Sequence, residues 1–117
     1  MQIFSDLISK YVIPSKPTIV RSPQWPAVRK RWLMLHGICE TCGTTKNLEV
    51  HHKIPVHLNP ALELEQSNFI TLCEFGPHHC HFTFGHFFNW SLYNPTIDAD
   101  ATSWFEKLAN AAKGGGE

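Results

Sequence analysis

The chain of 117 residues has the length of one domain, and its composition of 43% hydrophobic and 17% charged residues is that of a globular protein. It has no apolar run long enough to span a membrane, and the first residues, MQIFSDLISKYVIP, lack the basic segment and cleavage site of a signal peptide, so we expect a cytoplasmic protein that does not bind membranes. The formal net charge is +0, but eight Lys or Arg accompany three acids through Lys53 and two Lys accompany seven acids after it. A basic half can bind a polyanion, although solvated surface charges give the same pattern.

The N-terminal part predicts two helices joined by an extended arm. Residues 3–12 place apolar side chains on one side of a short helix, which Pro14 would end. The stretch WPAVRKRWLMLHG predicts a second helix, with Pro26 in its first turn and Gly37 just past its end. Its buried face would carry Val28, Trp32 and Leu35.

The four cysteines occur as two pairs. Cys39 and Cys42 form a C-x2-C motif in GICETCG, and Cys73 and Cys80 form the second pair in LCEFGPHHCH. Without a secretory signal, two such pairs of cysteines indicate a zinc ion held by four thiolates rather than two disulfides. A redox-active C-x2-C pair is the alternative. We would expect such a pair at the start of a helix that follows a strand, and CETCG does not lie in such a context.

Two short strands are predicted after Cys42, and the second of them ends at Cys73. NLEVHH alternates apolar and polar residues, and NFITLC is apolar and β-branched; the residues between them read as a loop. In the first strand, Leu48, Val50 and His52 would face the core and His51 the opposite side.

Two helices are predicted after the strands. HHCHFTFGHFFNW favours a helix that Gly85 weakens. Asp98 and Asp100 could cap a last helix, ATSWFEKLANAA, before a frayed tail, KGGGE. Seven of the eight histidines lie between residues 51 and 86.

The segments CETCG, LEVHHKIP, NFITLC and CH occur in the order found in HNH endonucleases with an embedded zinc ribbon. Over roughly residues 24–90 the chain resembles that family. The resemblance implies an α+β fold, the ββα-metal finger, with a zinc-ribbon knuckle and flanking helices. It also suggests three parts: an N-terminal helix and arm (1–23), the nuclease domain with its ribbon (24–94), and a C-terminal helix with a flexible tail (95–117).

The resemblance assigns roles to the polar residues of these motifs. His51 would bind a divalent ion and His52 would be the general base, while Asn68 would be a positioning residue of the catalytic set. His81, directly after Cys80, matches the metal-binding histidine of the helix.

Two departures from the family pattern affect the ligands. The next helix ligand usually follows His81 by four residues, but that position is Gly85 and the histidine is His86; five residues rotate a side chain by about 140° around a regular helix. A π-bulge or an early helix end would restore the reach of His86, which we expect to be a ligand. The second cysteine pair has the spacing C-x6-C instead of the family's usual C-x2-C. His78 or His79 could therefore replace Cys80 as the fourth zinc ligand, but we favour Cys80.

The resemblance therefore predicts a metal-dependent DNA endonuclease of low sequence specificity. Its structural ion would be Zn²⁺, and its catalytic ion Mg²⁺ or another divalent ion such as Mn²⁺, Ni²⁺ or Zn²⁺. Small stand-alone members of this kind are often phage proteins, which suggests packaging proteins as further partners and a monomer or weak dimer. The predicted phosphate-binding residues are Arg29, Lys30, Arg31 and Lys53.

Two other classes of function fit less well. A non-catalytic zinc ribbon that binds nucleic acid or protein would keep the four cysteines but has no need of the histidines and Asn68 together. A zinc deaminase or peptidase would carry H-x-E or H-E-x2-H, and the chain has neither pattern.

Overall fold

The computed structural model describes residues 20–75 and 79–114 of the chain. The predicted helix over residues 3–12 and most of the following arm lie outside these residues, as does the end of the predicted tail. The helices and strands are, in chain order, α1 (Trp25–Leu35), β1 (Leu48–His52), β2 (Phe69–Cys73), a π-helix (His81–Gly85) and α2 (Ile97–Gly114).

The two predicted strands pair with each other as an antiparallel sheet. In their register His51 lies opposite Ile70 and His52 opposite Phe69. The connection, predicted as a loop, contains two short 3₁₀ turns, Pro60–Leu62 and Gln66–Asn68. All of β2 is buried, as are the last three residues of β1, so the structure covers both faces of the histidine end of the sheet.

Helix α1 covers one face of the sheet. It follows the predicted bounds, with Pro26 in its first turn. Trp25, Val50 and Phe69 form a buried cluster there. The prediction for Leu35 was wrong: this side chain is 72% exposed, and other side chains complete the cluster, namely Val28, Trp32, Leu33 and Leu64.

Helix α2 packs against a second cluster that contains the cysteines. It contributes Ile97 and Ala101 to a core formed with Cys39, Ile70, Leu72, Cys73 and Cys80. The helix begins at Ile97, so Asp98 and Asp100 lie in its first turn rather than before it. Carboxylates in a first turn still favour the helix, because they interact with its positive N-terminal end.

The segment expected to form a helix weakened by Gly85 is a five-residue π-helix, His81–Gly85. The described chain is thus a small α+β fold with a two-stranded sheet, flanking helices and a cysteine cluster, as the HNH resemblance implies. None of its described helices has the length and apolar character of a membrane span.

Candidate active site

Three histidines meet at the end of the sheet. Each of His51, His81 and His86 offers a ring nitrogen that lies within 4.8 Å of the nitrogens offered by the other two. Nε2 of His81 and Nε2 of His86 lie 3.2 Å apart. Neutral imidazoles at this spacing form a donor set suited to a divalent transition metal.

The π-helix explains how His86 reaches the other two rings. In a regular α-helix, a spacing of five residues would place His86 about 140° away from His81. A π-helix hydrogen-bonds residues five apart, and the helix ends at Gly85, so His86 turns back toward His81. The structure adopts the alternative in which a local π-turn restores the reach of this residue.

His51 provides a buried nitrogen without a hydrogen-bond partner. The residue is 1% exposed, and its Nε2 has no partner among the described residues. Burial holds the pKa of His51 well below its usual range, and the neighbouring His81 and His86 lower it further. The ring is therefore neutral near pH 7, which is the form that binds a metal. A buried, unpaired nitrogen facing two other imidazoles fits a metal ligand.

The other two rings present Nε2 because their Nδ1 atoms are engaged elsewhere. Nδ1 of His86 lies 2.6 Å from the carbonyl oxygen of Leu92. A carbonyl can only accept, so Nδ1 carries the proton and Nε2 keeps its lone pair. In the same way, Nδ1 of His81 lies 2.7 Å from Oε2 of Glu74. These contacts fit a metal site in which Nε2 is the ligand atom of both rings.

His52 lies on the other face of the strand, as predicted. Its ring centroid lies 4.6 Å from that of Trp25, and its Nε2 lies 2.8 Å from the carbonyl oxygen of Glu63. That nitrogen must donate, so Nδ1 is the basic nitrogen of the neutral ring. Burial lowers the pKa of His52, while the hydrogen bond to Glu63 opposes the shift.

A single cavity of about 110 Å³ joins the two faces. It touches all four histidines of the predicted site as well as His57 and Arg21. The three clustered histidines and His52 therefore line the same space. The residues that line it are Arg21, Val50, His51, His52, Pro55, Val56, His57, His81, His86 and Trp90.

Asn68 is buried beneath the loop that follows β1. Its side-chain oxygen accepts from the backbone N–H of Ile54 at 2.9 Å, and its amide donates to the Ile54 carbonyl at 3.0 Å. The amide also lies 3.5 Å from the carbonyl oxygen of Leu62, next to the Glu63 carbonyl that holds His52. Asn68 does not line the cavity; its hydrogen bonds hold the backbone of the loop instead.

The four cysteines form a second cluster. Their sulfur atoms all lie within 4.8 Å of one another, and none is in a disulfide. A hydrogen bond from the Cys80 thiol lowers the pKa of Cys39 to about 4, while burial raises that of Cys42 to about 11. His79 is outside this cluster, and its Nδ1 instead donates to the carbonyl of Glu74. Four converging sulfurs could bind zinc.

The predicted phosphate-binding residues are not equivalent. Lys30 and Arg31 are exposed on α1. Arg29 is only partly exposed: it pairs with Glu49 at 3.1 Å and lies 3.4 Å from the Leu48 carbonyl oxygen. Lys53 pairs with an exposed carboxylate, Asp98, at 2.8 Å.

Sequence reasoning missed four residues around the site. Arg21 lines the cavity and stacks over Trp25, with 5.1 Å from its guanidinium carbon to the ring centroid. Trp90 lies 4.9 Å from the ring of His86, and the side chain of Asn94 donates to the Phe84 carbonyl at 2.9 Å. The fourth is Glu74. Only Glu74 had a local signal, since it directly follows a predicted zinc ligand.

Comparison with known proteins agrees with this geometry. Residues 39–84 match the family model of the HNH endonucleases. This segment is similar to the domains of that family. The match covers both strands, the four cysteines and His81, and it ends just before His86. A search of curated proteins and a search of solved structures gave no match.

The match supports a nuclease-family assignment, and the side-chain clusters give it two possible metal sites. The family uses a divalent ion. His51 and His81 within the matched segment, together with His86 just beyond it, are described residues that could hold one. The four cysteines form a separate group that could bind zinc.

Proposed function

We propose that the protein is a metal-dependent DNA endonuclease that hydrolyses phosphodiester bonds with little sequence preference. The observation that carries the proposal is one cavity, which is lined by the three converging imidazoles and by His52, a ring whose Nε2 is bonded to the Glu63 carbonyl and whose basic nitrogen is Nδ1. A non-catalytic zinc ribbon has no use for this arrangement.

The three histidines would hold the catalytic ion. His51, His81 and His86 would each offer Nε2, and the observed contacts keep the Nδ1 atoms of the last two occupied. A bound divalent ion would neutralise negative charge at the phosphate and at the leaving oxygen. The candidates are Mg²⁺, Mn²⁺, Ni²⁺ and Zn²⁺.

His52 would be the general base. Its lowered pKa keeps it neutral at pH 7, and the Glu63 carbonyl holds the ring so that Nδ1 carries the lone pair. Nδ1 would take a proton from the attacking water as the new P–O bond forms and the bond to the leaving oxygen breaks. Asn68 supports this step because it holds the loop that carries Glu63.

Basic side chains would position the DNA. Arg21 lines the cavity and would contact the phosphate there, while Lys30 and Arg31 are exposed for phosphates farther along the strand. Lys53 and Arg29 would have to exchange their carboxylate partners for phosphate, and so would Arg21, whose Nη1 lies 3.9 Å from Oε2 of Glu63. Contacts of this kind carry no sequence information, which supports low specificity.

The cysteine cluster would hold structural Zn²⁺. It packs in the same core as β2 and α2, so the ion would stabilise the sheet that carries the histidines. We propose that residues 24–94, with Arg21 just before them, form the nuclease unit and that residues 95–117 support it through Ile97 and Ala101.

Cleavage of a supercoiled plasmid tests the function. The protein should convert the plasmid to open-circle or linear DNA with at least one of Mg²⁺, Mn²⁺ or Ni²⁺, and EDTA should stop the reaction. The His52→Ala variant, prepared identically, controls for contaminating nuclease. If the plasmid remains intact with every ion while a gel shift still shows DNA binding, the non-catalytic zinc ribbon is the correct interpretation.

A further inference from the structure

Glu74 forms a partly buried pair with His81, a member of the three-histidine cluster. The side chains are only 16% and 10% exposed, and Oε2 of Glu74 lies 2.7 Å from Nδ1 of His81. Each residue directly follows a cysteine of the second cluster, Cys73 and Cys80 respectively. The backbone N–H of Cys80 in turn donates to Sγ of Cys73 at 3.4 Å. The pair is therefore built on two residues that the cysteine cluster holds together.

The backbone of Glu74 is held on both sides. Its N–H donates to the carbonyl oxygen of Asn47 at 2.7 Å, and its own carbonyl accepts from Nδ1 of His79 at 3.0 Å. A carboxylate on a backbone anchored in this way keeps one position relative to the ring of His81. The contact is thus a fixed feature of the site rather than a surface ion pair between mobile side chains.

This contact determines which nitrogen of His81 can bind a metal. An ionised carboxylate only accepts hydrogen bonds, so the proton of the neutral ring lies on Nδ1. Nε2 then keeps its lone pair and faces Nε2 of His86, 3.2 Å away. Without Glu74 the proton could move to Nε2, and the ring would present a donor where a ligand is needed.

Glu74 acts through His81 and not as a ligand itself. Its carboxylate contacts Nδ1, whereas Nε2 of His81 belongs to the three-histidine cluster, and the cluster within 4.8 Å does not include Glu74. A carboxylate bonded to the far nitrogen of a metal-binding histidine generally fixes the tautomer and makes the ring a stronger ligand.

We propose that Glu74 is a positioning residue of the catalytic centre, which holds His81 in the tautomer that leaves Nε2 free to bind the divalent ion. The inference rests on the proposed function only in taking the three histidines as a metal site. It adds a residue that lies outside the histidine and asparagine motif by which the domain was recognised.

Metal binding and the tautomer of His81 test the proposal directly. The variants are Glu74→Ala, which removes the acceptor, and Glu74→Gln, whose side-chain oxygen can still accept from Nδ1. Glu106→Ala removes an exposed carboxylate on α2 and is the matched control. The wild type and the three variants are prepared with zinc bound to the cysteines. Calorimetry then measures their Mn²⁺ affinity, and long-range ¹H–¹⁵N NMR with the histidine site free of metal reports the tautomer of His81.

We expect Glu74→Ala to bind Mn²⁺ about 10–100-fold more weakly and to show His81 with Nε2 protonated in a substantial fraction of molecules. Glu74→Gln and Glu106→Ala should keep the wild-type tautomer, with Mn²⁺ affinities close to that of the wild type. Zinc content and the unfolding midpoint should remain unchanged in Glu74→Gln.

Two results would overturn the proposal. One is wild-type Mn²⁺ affinity and tautomer in Glu74→Ala; the other is a folded, zinc-loaded Glu74→Gln that keeps the tautomer but binds Mn²⁺ as weakly as Glu74→Ala. If Glu74→Ala fails to fold, Glu74→Met, which fills a similar volume but has no oxygen acceptor, takes its place in both comparisons. Neither readout uses DNA, so a protein that binds Mn²⁺ as expected but leaves plasmid intact contradicts the proposed function and not this inference.

Discussion

Gly85 and the ring of His51 are in such close contact that no side chain fits between them. A Cβ atom at position 85 would lie 2.9 Å from Cε1 and 3.1 Å from Nδ1 of His51. Because His51 is 1% exposed, its ring cannot move away into solvent. Glycine at this position allows the π-helix to pass over the strand and place His81 and His86 beside His51.

The first prediction concerns this contact. Gly85→Ala should displace the His51 ring, weaken Mn²⁺ binding at least 10-fold, and destabilise the fold by about 1–3 kcal/mol, the usual cost of overpacking. Calorimetry and urea unfolding measure the two effects. Gly37→Ala is the control. Its Cβ would contact only the Leu33 carbonyl oxygen, at 3.3 Å, and none of the three clustered histidines. Unchanged Mn²⁺ affinity in Gly85→Ala would contradict the prediction.

The second prediction separates the adjacent histidines. His52→Ala should lower the cleavage rate about 10²–10⁴-fold, the usual contribution of a general base, and leave metal affinity nearly unchanged. His51→Ala removes a ligand, so it should raise the metal concentration needed for activity, and excess Mn²⁺ should partly rescue it. Calorimetry on both variants is the measurement. Loss of metal by His52→Ala and retention by His51→Ala would show that the two roles are reversed.

The strands and α1 could be predicted because local patterns determine them. Alternation in NLEVHH and β-branched residues in NFITLC correctly gave β1 and β2, and Pro26 correctly marked the start of α1. The opposite orientation of His51 and His52 follows from the period of any strand. These features need no information about distant contacts.

The π-helix and the residues around it were harder to predict. The five-residue spacing between His81 and His86 raised the question, but a regular helix that ended early would have answered it equally well. What stabilises the π-turn comes from later in the chain: Asn94 donates from its backbone to the Gly85 carbonyl and from its side chain to the Phe84 carbonyl. The Asn94-Pro95 pair indicates a turn, but it does not indicate these contacts with the π-helix.

Arg21 shows the same limit. Nothing in RSPQWP distinguishes it from an ordinary surface arginine, and its place in the cavity depends on the packing of Trp25 beside His52. The basic residues of α1 were more visible in sequence, yet one of them, Arg29, is paired with Glu49 on the neighbouring strand.

The third prediction concerns pH. Burial lowers the pKa of both His51 and His52 in the folded protein, whereas the unfolded chain has values near 6.5. Below about pH 6.5 the unfolded state binds more protons, so the free energy of unfolding should fall as pH decreases toward the folded-state pKa values. Urea unfolding from pH 7.5 to 5, without added divalent metal, measures this slope.

Variants identify the source of that slope. His52→Gln should reduce it, whereas the exposed His57→Gln should not. Cleavage should follow the same titration, rising with pH to an inflection below about 6.5 as the base loses its proton. If the free energy of unfolding of the wild type stays constant or increases as the pH decreases from 6.5 to 5, the assignment of buried neutral histidines is contradicted.

The fourth prediction concerns the cysteine cluster. Cys73 is buried in the core that α2 covers, and its sulfur lies 3.8 Å from that of Cys42. Cys73→Ser should therefore release zinc and lose the folded structure together, because structural zinc contributes directly to folding. Zinc analysis and circular dichroism follow both events. X-ray absorption of the wild type should show four sulfur ligands, and a spectrum with three sulfurs and one nitrogen would contradict the Cys80 assignment.

The last prediction distinguishes exposed from paired basic residues on α1. Lys30 and Arg31 are exposed, so replacing both with Ala should weaken binding uniformly across DNA sequences and reduce the salt dependence of log K by about 0.9 for each phosphate that is no longer neutralised. Arg29 is tied to Glu49, and its replacement should change the salt slope less.

Fluorescence anisotropy with two unrelated duplexes at several salt concentrations measures the slope. It is best done in the His52→Ala background, so that the DNA is not cut. Replacing Lys113, a basic residue near the end of α2, is the control for a general loss of positive charge. An unchanged slope in the Lys30 and Arg31 double variant would mean that α1 faces away from DNA, since counterions are released only where phosphates are neutralised.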